Sequence, residues 1–264
     1  MTFQPSQYQN LPLRAFQNQD RTIYYSHAAQ ELEQSLTPHF PGQDPRPNLV
    51  SLIDKQTQQG GTGLLLNKYG FVLTSYHLVN QFKKNHSSKY HYHIQDSSHR
   101  AHSIDPSFFA YDQTHDIAII RALGTPQSTS SIAISNNHLQ LSQLICYIAY
   151  VDGINISRHL GQIKSTSYDV HYEHKTILDA IAFSGEGQRG FSGAPLFNHQ
   201  NHLVGNLFGG GYLDDEYNNE NECNHNNNEN DEDENNDEEL NFGTKAIYIT
   251  KLIQELITNL HNTK

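Results

Sequence analysis

The residues equipped to do chemistry in this chain are His77, Asp116 and Ser192, met in that order. A serine hydroxyl is a poor nucleophile near neutral pH and needs a base within hydrogen-bond reach, and a neutral imidazole serves there. A carboxylate on the other ring nitrogen would fix the tautomer and stabilise the imidazolium. Ser192 stands in Gln188-Arg189-Gly190-Phe191-Ser192-Gly193-Ala194-Pro195-Leu196-Phe197, between a polar loop and an apolar strand. A glycine before the serine lets the backbone bend so that two successive N–H groups aim at one point, where an oxyanion would need donors. Taken singly, each residue has a plain alternative. The chain has 17 histidines, Asp116 suits a strand end, and Ser192 suits a turn. Their order and contexts carry the assignment.

Those contexts are strands. Residues 61–66 and 71–75 read as two apolar strands joined by the turn Asn67 to Gly70, with His77 just past the second. Asp116 stands at the mouth of the apolar run Ile117-Ala118-Ile119-Ile120. His115 beside it should face away from the site, because adjacent strand residues point to opposite faces. Between residues 48 and 210 the apolar runs are short, β-branched and regularly spaced, as in an all-β protein.

With these segments in hand, the chain resembles the trypsin-like serine proteases, and most closely their HtrA-type branch. The segments around His77, Asp116 and Ser192 carry the resemblance. Ile132-Ala133-Ile134-Ser135 with Leu139 to Tyr150, Ile156 to Ile163, and Leu203-Val204-Gly205-Asn206-Leu207-Phe208-Gly209 fit in order. The last looks like the strand that pairs with substrate backbone. The resemblance implies an all-β fold of two six-stranded antiparallel β-barrels of the chymotrypsin type, with a C-terminal helix and an N-terminal extension. It implies a serine endopeptidase with His77, Asp116 and Ser192 as the triad and the N–H groups of Gly190 and Ser192 as the oxyanion hole. No cofactor is implied. Departures are visible. Phe191 replaces the usual Asn or Asp, Ala194 replaces a glycine, and Gln188 and Arg189 make the loop bulkier. They motivate a second reading, a catalytically inactive or latent protease-fold protein that binds or regulates.

By the same resemblance the substrate pocket would be lined by Glu186, Arg189, Phe208, Gly209 and Gly210, with residues near Thr244 beside them. Glu186, six residues before the serine, matches the position that sets charge preference in digestive trypsins, which would favour Lys or Arg in the substrate. HtrA-type loops usually take small aliphatic residues, so both preferences stay open.

The organisation follows. Residues 1–46 form an extension and linker, with a possible helix over 22–36 and a Pro-rich stretch after it. The protease domain spans 47–262: a first barrel at 48–123, a second at 131–249, and a helix at 250–260. Leu252, Ile253, Leu256, Ile257 and Leu260 lie on one face of that helix. No residues follow it for a PDZ domain, so none is expected. Residues 212–242 form an acidic, Asn-rich insertion read as disordered. It is either a flap that attracts basic substrates or a regulatory partner, or a tolerated surface expansion. The extension likewise either docks a regulatory partner or the protease itself, or is a leader with one packed helix.

The net charge of −11 comes from this insertion, since residues 214–239 hold 13 Asp and Glu and no Lys or Arg. The remainder has 15 acids against 17 Lys and Arg, a net charge of +2. No basic stripe suggests nucleic acid as a partner. No run reaches membrane-span length, and the first residues carry neither a basic n-region nor an apolar h-region. A cytoplasmic location and a protein or peptide substrate are the expectations. The two cysteines, Cys146 and Cys223, imply no disulfide framework. His91 and His93 could share a strand face, with His86, His99 and His102 nearby, but nothing completes a tight zinc set, and no metal is expected.

Overall fold

The computed structural model describes residues 29, 30, 32, 33, 36 and 44–262, apart from 55–59, 85–91, 97, 125–131, 136, 152, 173–174 and 213–238. The acidic insertion, the Pro-rich stretch at 37–43, most of the expected helix at 22–36, the link at 125–131, and His86 and His91 therefore lie outside the described residues.

Seven strands make the first sheet: β1 (Leu49–Asp54), β2 (Gly60–Leu65), β3 (Phe71–Ser75), β4 (Tyr92–Asp96), β5 (Ala101–His102), β6 (Ile104–Asp112) and β7 (Ile117–Ala122). Helix α1 (Tyr76–Lys84) intervenes between β3 and β4. The sheet order is β5-β4-β1-β2-β3-β7-β6, and all its pairs are antiparallel. The Asn67–Gly70 turn forms as the sequence predicts. Asn67 Oδ1 accepts the Tyr69 N–H at 3.0 Å, and Gly70 takes φ +90°, a conformation glycine adopts without steric cost.

The second sheet contains β8 (Leu144–Val151), β9 (Asn155–Tyr172), β10 (Lys175–Ser184), β11 (Pro195–Phe197), β12 (Leu203–Tyr212) and β13 (Glu239–Lys245). Its pairing order is β10-β13-β12-β11-β8-β9, with β9 also paired to β10. Helix α2 (Ala246–Asn262) follows β13 directly.

This corrects the expected architecture of two six-stranded barrels. The first unit is an open sheet of seven strands. Among the described residues its edge β5, two residues long, pairs only with β4 and β6 pairs only with β7, so no ladder there joins the two ends. The description "double β-barrel" does not hold for this chain. Two boundaries also move. The last strand ends at Lys245 and the helix begins at Ala246, where strand and then a helix from 250 were expected. The expected insertion at 212–242 has strand at both ends, Tyr212 in β12 and 239–242 in β13.

Alternation along the strands divides the core. Leu64, Leu66, Phe71 and Leu73 join one cluster with Ile117, Ile119, Ile148, Tyr150 and Phe197. Leu65 and Val72 join another with Val50, Leu52, Val79, Ala118 and Ile120. Strands buried on both faces read as near-continuous apolar runs, as β3 and β7 do. The first cluster also receives Ile249, Leu252, Ile253, Leu256, Ile257 and Leu260 of α2, so one core ties both sheets to the helix. Truncating Leu256 to alanine there would cost about 2–5 kcal/mol.

Candidate functional site

His77 lies in the first turn of α1, directly after β3. Asp116 lies just before β7, which pairs with β3 from Ser75↔Ile117 onward, so the two residues meet at one end of that ladder. The Asp116 backbone carbonyl accepts the Tyr76 N–H at 3.0 Å. Its carboxylate accepts the His77 N–H on Oδ1 at 3.1 Å and the His77 Nδ1–H on Oδ2 at 2.6 Å. An ionised carboxylate has no proton to give, so Nδ1 is the donor, and among the described residues Nε2 has no hydrogen-bond partner. Asp116 thereby also satisfies an orphan donor at the start of α1, where negative charge is favoured. It holds φ +54°, which Asp tolerates better than most residues. Its side chain is 2% exposed and that of His77 is 41% exposed.

Asp116 Oδ1 has another partner. Lys175, the first residue of β10, donates from Nζ at 2.8 Å. Sequence reasoning missed this residue. It is 59 positions away, at the tip of the β9–β10 hairpin, and no local pattern marks it. Tyr172, on the other side of that tip, was missed too. A Cβ added to Gly209 would lie 2.7 Å from its hydroxyl. His115 faces elsewhere as expected, pairing with Asp112 at 2.6 Å and stacking on Tyr248.

The serine loop is fixed by backbone bonds. Phe191 N–H donates to the Gln188 carbonyl at 3.2 Å, and Ala194 N–H to the Phe191 carbonyl at 2.8 Å. Gly193 N–H reaches the Leu207 carbonyl at 2.7 Å. Gly190 and Gly193 hold φ +96° and +85°, and a Cβ on Gly193 would sit 1.9 Å from the Thr62 carbonyl oxygen, so only glycine fits there. Thr62 of β2 grips the loop from the other side, donating its N–H to the Ser192 carbonyl at 2.8 Å and its hydroxyl to the Gly190 carbonyl at 3.0 Å. Among the described residues, no acceptor takes the N–H of Gly190 or of Ser192.

Phe191 anchors the loop. It is 1% exposed and packs its ring 6.0 Å from Tyr147 and 4.8 Å from His159. Tyr147 donates its hydroxyl to the Glu186 carbonyl at 2.6 Å, and burial with the nearby Glu186 charge pushes that hydroxyl up to about 12.

The two halves of the site approach each other through β12. Ser75, two residues before His77, donates its hydroxyl to the Leu207 carbonyl at 3.1 Å, the same oxygen that receives Gly193. The Ser192 hydroxyl donates to the next carbonyl, that of Phe208, at 3.3 Å. Among the described residues, no hydrogen bond joins Ser192 to His77. The structure thus assembles the His77–Asp116 pair and leaves the serine hydroxyl on β12.

The residues expected to line the pocket differ in burial and partners. Phe208 is buried with Val170, Ile177, Ala180, Ala182, Leu240 and Phe242. Glu186 has a side chain 68% exposed and paired with His159 at 2.9 Å. Arg189 and Gly210 are exposed, and Gly209 faces Tyr172. His102 Nε2 bonds Asp96 at 3.0 Å, and among the described residues no three His, Cys, Asp or Glu side chains gather as a metal site. No helix among those residues is long and apolar enough to cross a membrane.

The family described as trypsin-like peptidase domain matches residues 61–205, more than half of the chain. Among solved structures, the active form of the Rv3671c protease from M. tuberculosis is similar, with TM-score 0.58 and 16% identity over 80% of this chain and 82% of that one. Its inactive form is as similar, with TM-score 0.57. The MamO protease domain from Magnetospirillum magneticum gives 0.54 at 15% identity, over 78% of this chain and 96% of its own. Deg5 gives 0.57 at 14% identity, over 93% and 98%. At such identities the likeness shows the fold. The cytoplasmic location expected from the first residues is withdrawn, since a likeness of fold places the chain in no compartment. No curated protein matches this chain in sequence.

Proposed function

The chain belongs to the trypsin-like peptidase domain family, and on that footing we propose that it is a serine endopeptidase with Ser192 as nucleophile, His77 as base and Asp116 as the carboxylate that orients it. The observation that carries the proposal is the 2.6 Å bond from His77 Nδ1–H to a buried Asp116, which leaves Nε2 free to accept a proton. Support comes from the open N–H groups of Gly190 and Ser192, beside a serine loop held by Thr62.

The reaction would proceed by acyl transfer. Ser192 Oγ attacks the scissile carbonyl carbon while His77 Nε2 takes its proton. The oxyanion forms against the N–H groups of Gly190 and Ser192, and a donor of this kind is typically worth about 3–4 kcal/mol in the transition state. Collapse breaks the C–N bond, and the imidazolium gives its proton to the leaving amine. Water, giving a proton to His77, then attacks the acyl carbon; the C–Oγ bond breaks, the imidazolium returns that proton to Ser192 Oγ, and the carboxyl product leaves.

A second reading is favoured by one observation, the Ser192 hydroxyl bound to the Phe208 carbonyl. That conformation is latent, because the nucleophile is not on its base. A substrate strand laid along Phe208 to Gly210 would compete for that carbonyl with its own N–H and return the hydroxyl to His77.

A fluorophosphonate probe tests the proposal, with the adduct located by mass spectrometry and Ser192→Ala as control. Labelling at Ser192 supports a competent nucleophile. A folded protein that stays unlabelled, both alone and with a peptide substrate present, overturns the peptidase reading in favour of a binding protein.

A further inference from the structure

We infer that Lys175 is a positioning residue: by neutralising the Asp116 carboxylate, it sets how strongly His77 draws the proton of Ser192. The inference rests on the peptidase reading for the roles of His77 and Ser192, while the ion pair itself does not depend on it. Asp116 Oδ1 is shared between Lys175 Nζ at 2.8 Å and the His77 backbone N–H at 3.1 Å. Oδ2 is given to the His77 ring at 2.6 Å. One buried carboxylate is thus shared between the Lys175 ammonium and the His77 ring. The Lys175 side chain is 27% exposed, so solvent screens it only partly.

The lysine is held where it is. Its Nζ lies 5.9 Å from the centre of the Tyr76 ring, a favourable cation–aromatic contact. Three residues on, Leu178 N–H donates to the Thr114 carbonyl at 3.2 Å and fastens β10 to the turn that carries Asp116. The groups facing the pair come from several elements. They are Lys175 of β10, Tyr172 of β9, and Tyr76 of α1, whose hydroxyl is engaged by Asn80 at 2.9 Å. Burial and the Asp116 charge push the Tyr172 hydroxyl up to about 12, so it stays neutral. Asp112 lies in the same turn, its carboxylate bonded to His115 Nδ1 at 2.6 Å. Among the described residues, His77 and Lys175 are the basic side chains paired with Asp116.

A fixed positive charge beside a carboxylate weakens its hold on any second cation. Lys175 therefore competes with the imidazolium for the Asp116 carboxylate. A purely structural lysine would not do this, and the difference is measurable.

The test compares the full chain with Lys175→Met and Lys175→Arg, reading kcat/KM against pH on one peptide. Lys175→Met moves the acid limb to higher pH, by about one unit, and Lys175→Arg restores its position. A folded Lys175→Met protein whose plateau drops while its acid limb stays in place overturns the inference. If none of these proteins cleaves peptide, the peptidase reading fails and this one is still decided. The His77 ring is then followed against pH by NMR of 13C-labelled histidine, with its signal assigned by its loss in His77→Gln. Proton uptake at higher pH in Lys175→Met upholds the inference, and coincident curves overturn it.

Discussion

Thr62 donates its hydroxyl to the Gly190 carbonyl at 3.0 Å, across 128 positions of sequence, while the same oxygen accepts the Tyr150 N–H at 2.9 Å. One hydroxyl therefore links the first sheet, the second sheet and the loop before Ser192. Thr62→Val keeps the shape and removes the hydroxyl. It strands the buried Tyr150 N–H, which costs about 1–3 kcal/mol. It also frees the Gly190 peptide to rotate, and a misplacement of this kind can cost up to about 100-fold in rate. The expected outcome is a lowered unfolding midpoint together with fluorophosphonate labelling slowed by at least about tenfold. Labelling at the wild-type rate would mean that Thr62 does not hold the loop.

Phe191 occupies a position beside the nucleophile that is usually polar in HtrA-type sequences, yet it is 1% exposed between Tyr147 and His159. An apolar anchor here fixes the turn by packing. Phe191→Ala should cost roughly 3–5 kcal/mol through the cavity it leaves. Phe191→Leu keeps most of the volume and should fold, but loses the ring contacts on Tyr147 and His159. Chemical denaturation of both variants, with probe labelling of the leucine variant, checks the assignment. An alanine variant as stable as wild type would refute it.

How far the sequence carried the reading depends on the range of the interaction. The Asn67–Gly70 turn, the apolar face of α2 and the pairing of His77 with Asp116 follow from spacing and from two neighbouring strands. Helix α1 at His77 was not expected, because Tyr76 to Lys84 directly continues an apolar strand and the capping carboxylate comes from Asp116, 39 residues away. Lys175, Tyr172 and Thr62 were illegible for the same reason, since hairpin length and sheet pairing bring them to the site. The open first sheet was hidden as well. Strand count along the chain says nothing of whether the end strands meet, and among the described residues β5 and β6 do not pair.

Asp116→Asn tests the base. Asn tolerates the φ of +54° that Asp116 holds, so the backbone should survive. The amide can place an N–H against His77 Nδ1 and favour the wrong tautomer, which in the trypsin-like reaction costs about 10⁴ in turnover. Turnover measured on a folded variant should fall by about that factor. Near-normal turnover would remove Asp116 from the mechanism.

Glu186 was one expected source of a preference for basic residues, but its carboxylate lies on His159 and is largely in solvent. With its carboxylate largely in solvent, the Glu186 side of this pair contributes little. Glu186→Gln should therefore change the ratio of kcat/KM for Lys against Ala at the cleaved position by less than about twofold. A collapse of that ratio on a matched peptide pair would instead put the carboxylate in the pocket.

Asp179, in the irregular stretch of β10 between Ile177 and Ala180, should contribute to acid stability. It holds φ +52° and accepts bonds from Lys245, from the Ser167 hydroxyl at 2.6 Å and from the Tyr248 hydroxyl at 2.5 Å. Burial alone would raise its carboxyl. The bonds from Lys245, Ser167 and Tyr248 outweigh that and bring it down to about 2 from an ordinary 3.8. A carboxyl lowered on folding stabilises the native state above its unfolded value, and that contribution is lost as pH falls through the folded one. Asp179→Asn keeps the backbone conformation and removes the charge. Urea midpoints of the two proteins should differ most above about pH 4 and converge as pH falls toward about 2. A gap of constant size across that range would mean that Asp179 acts through its shape and not through its charge.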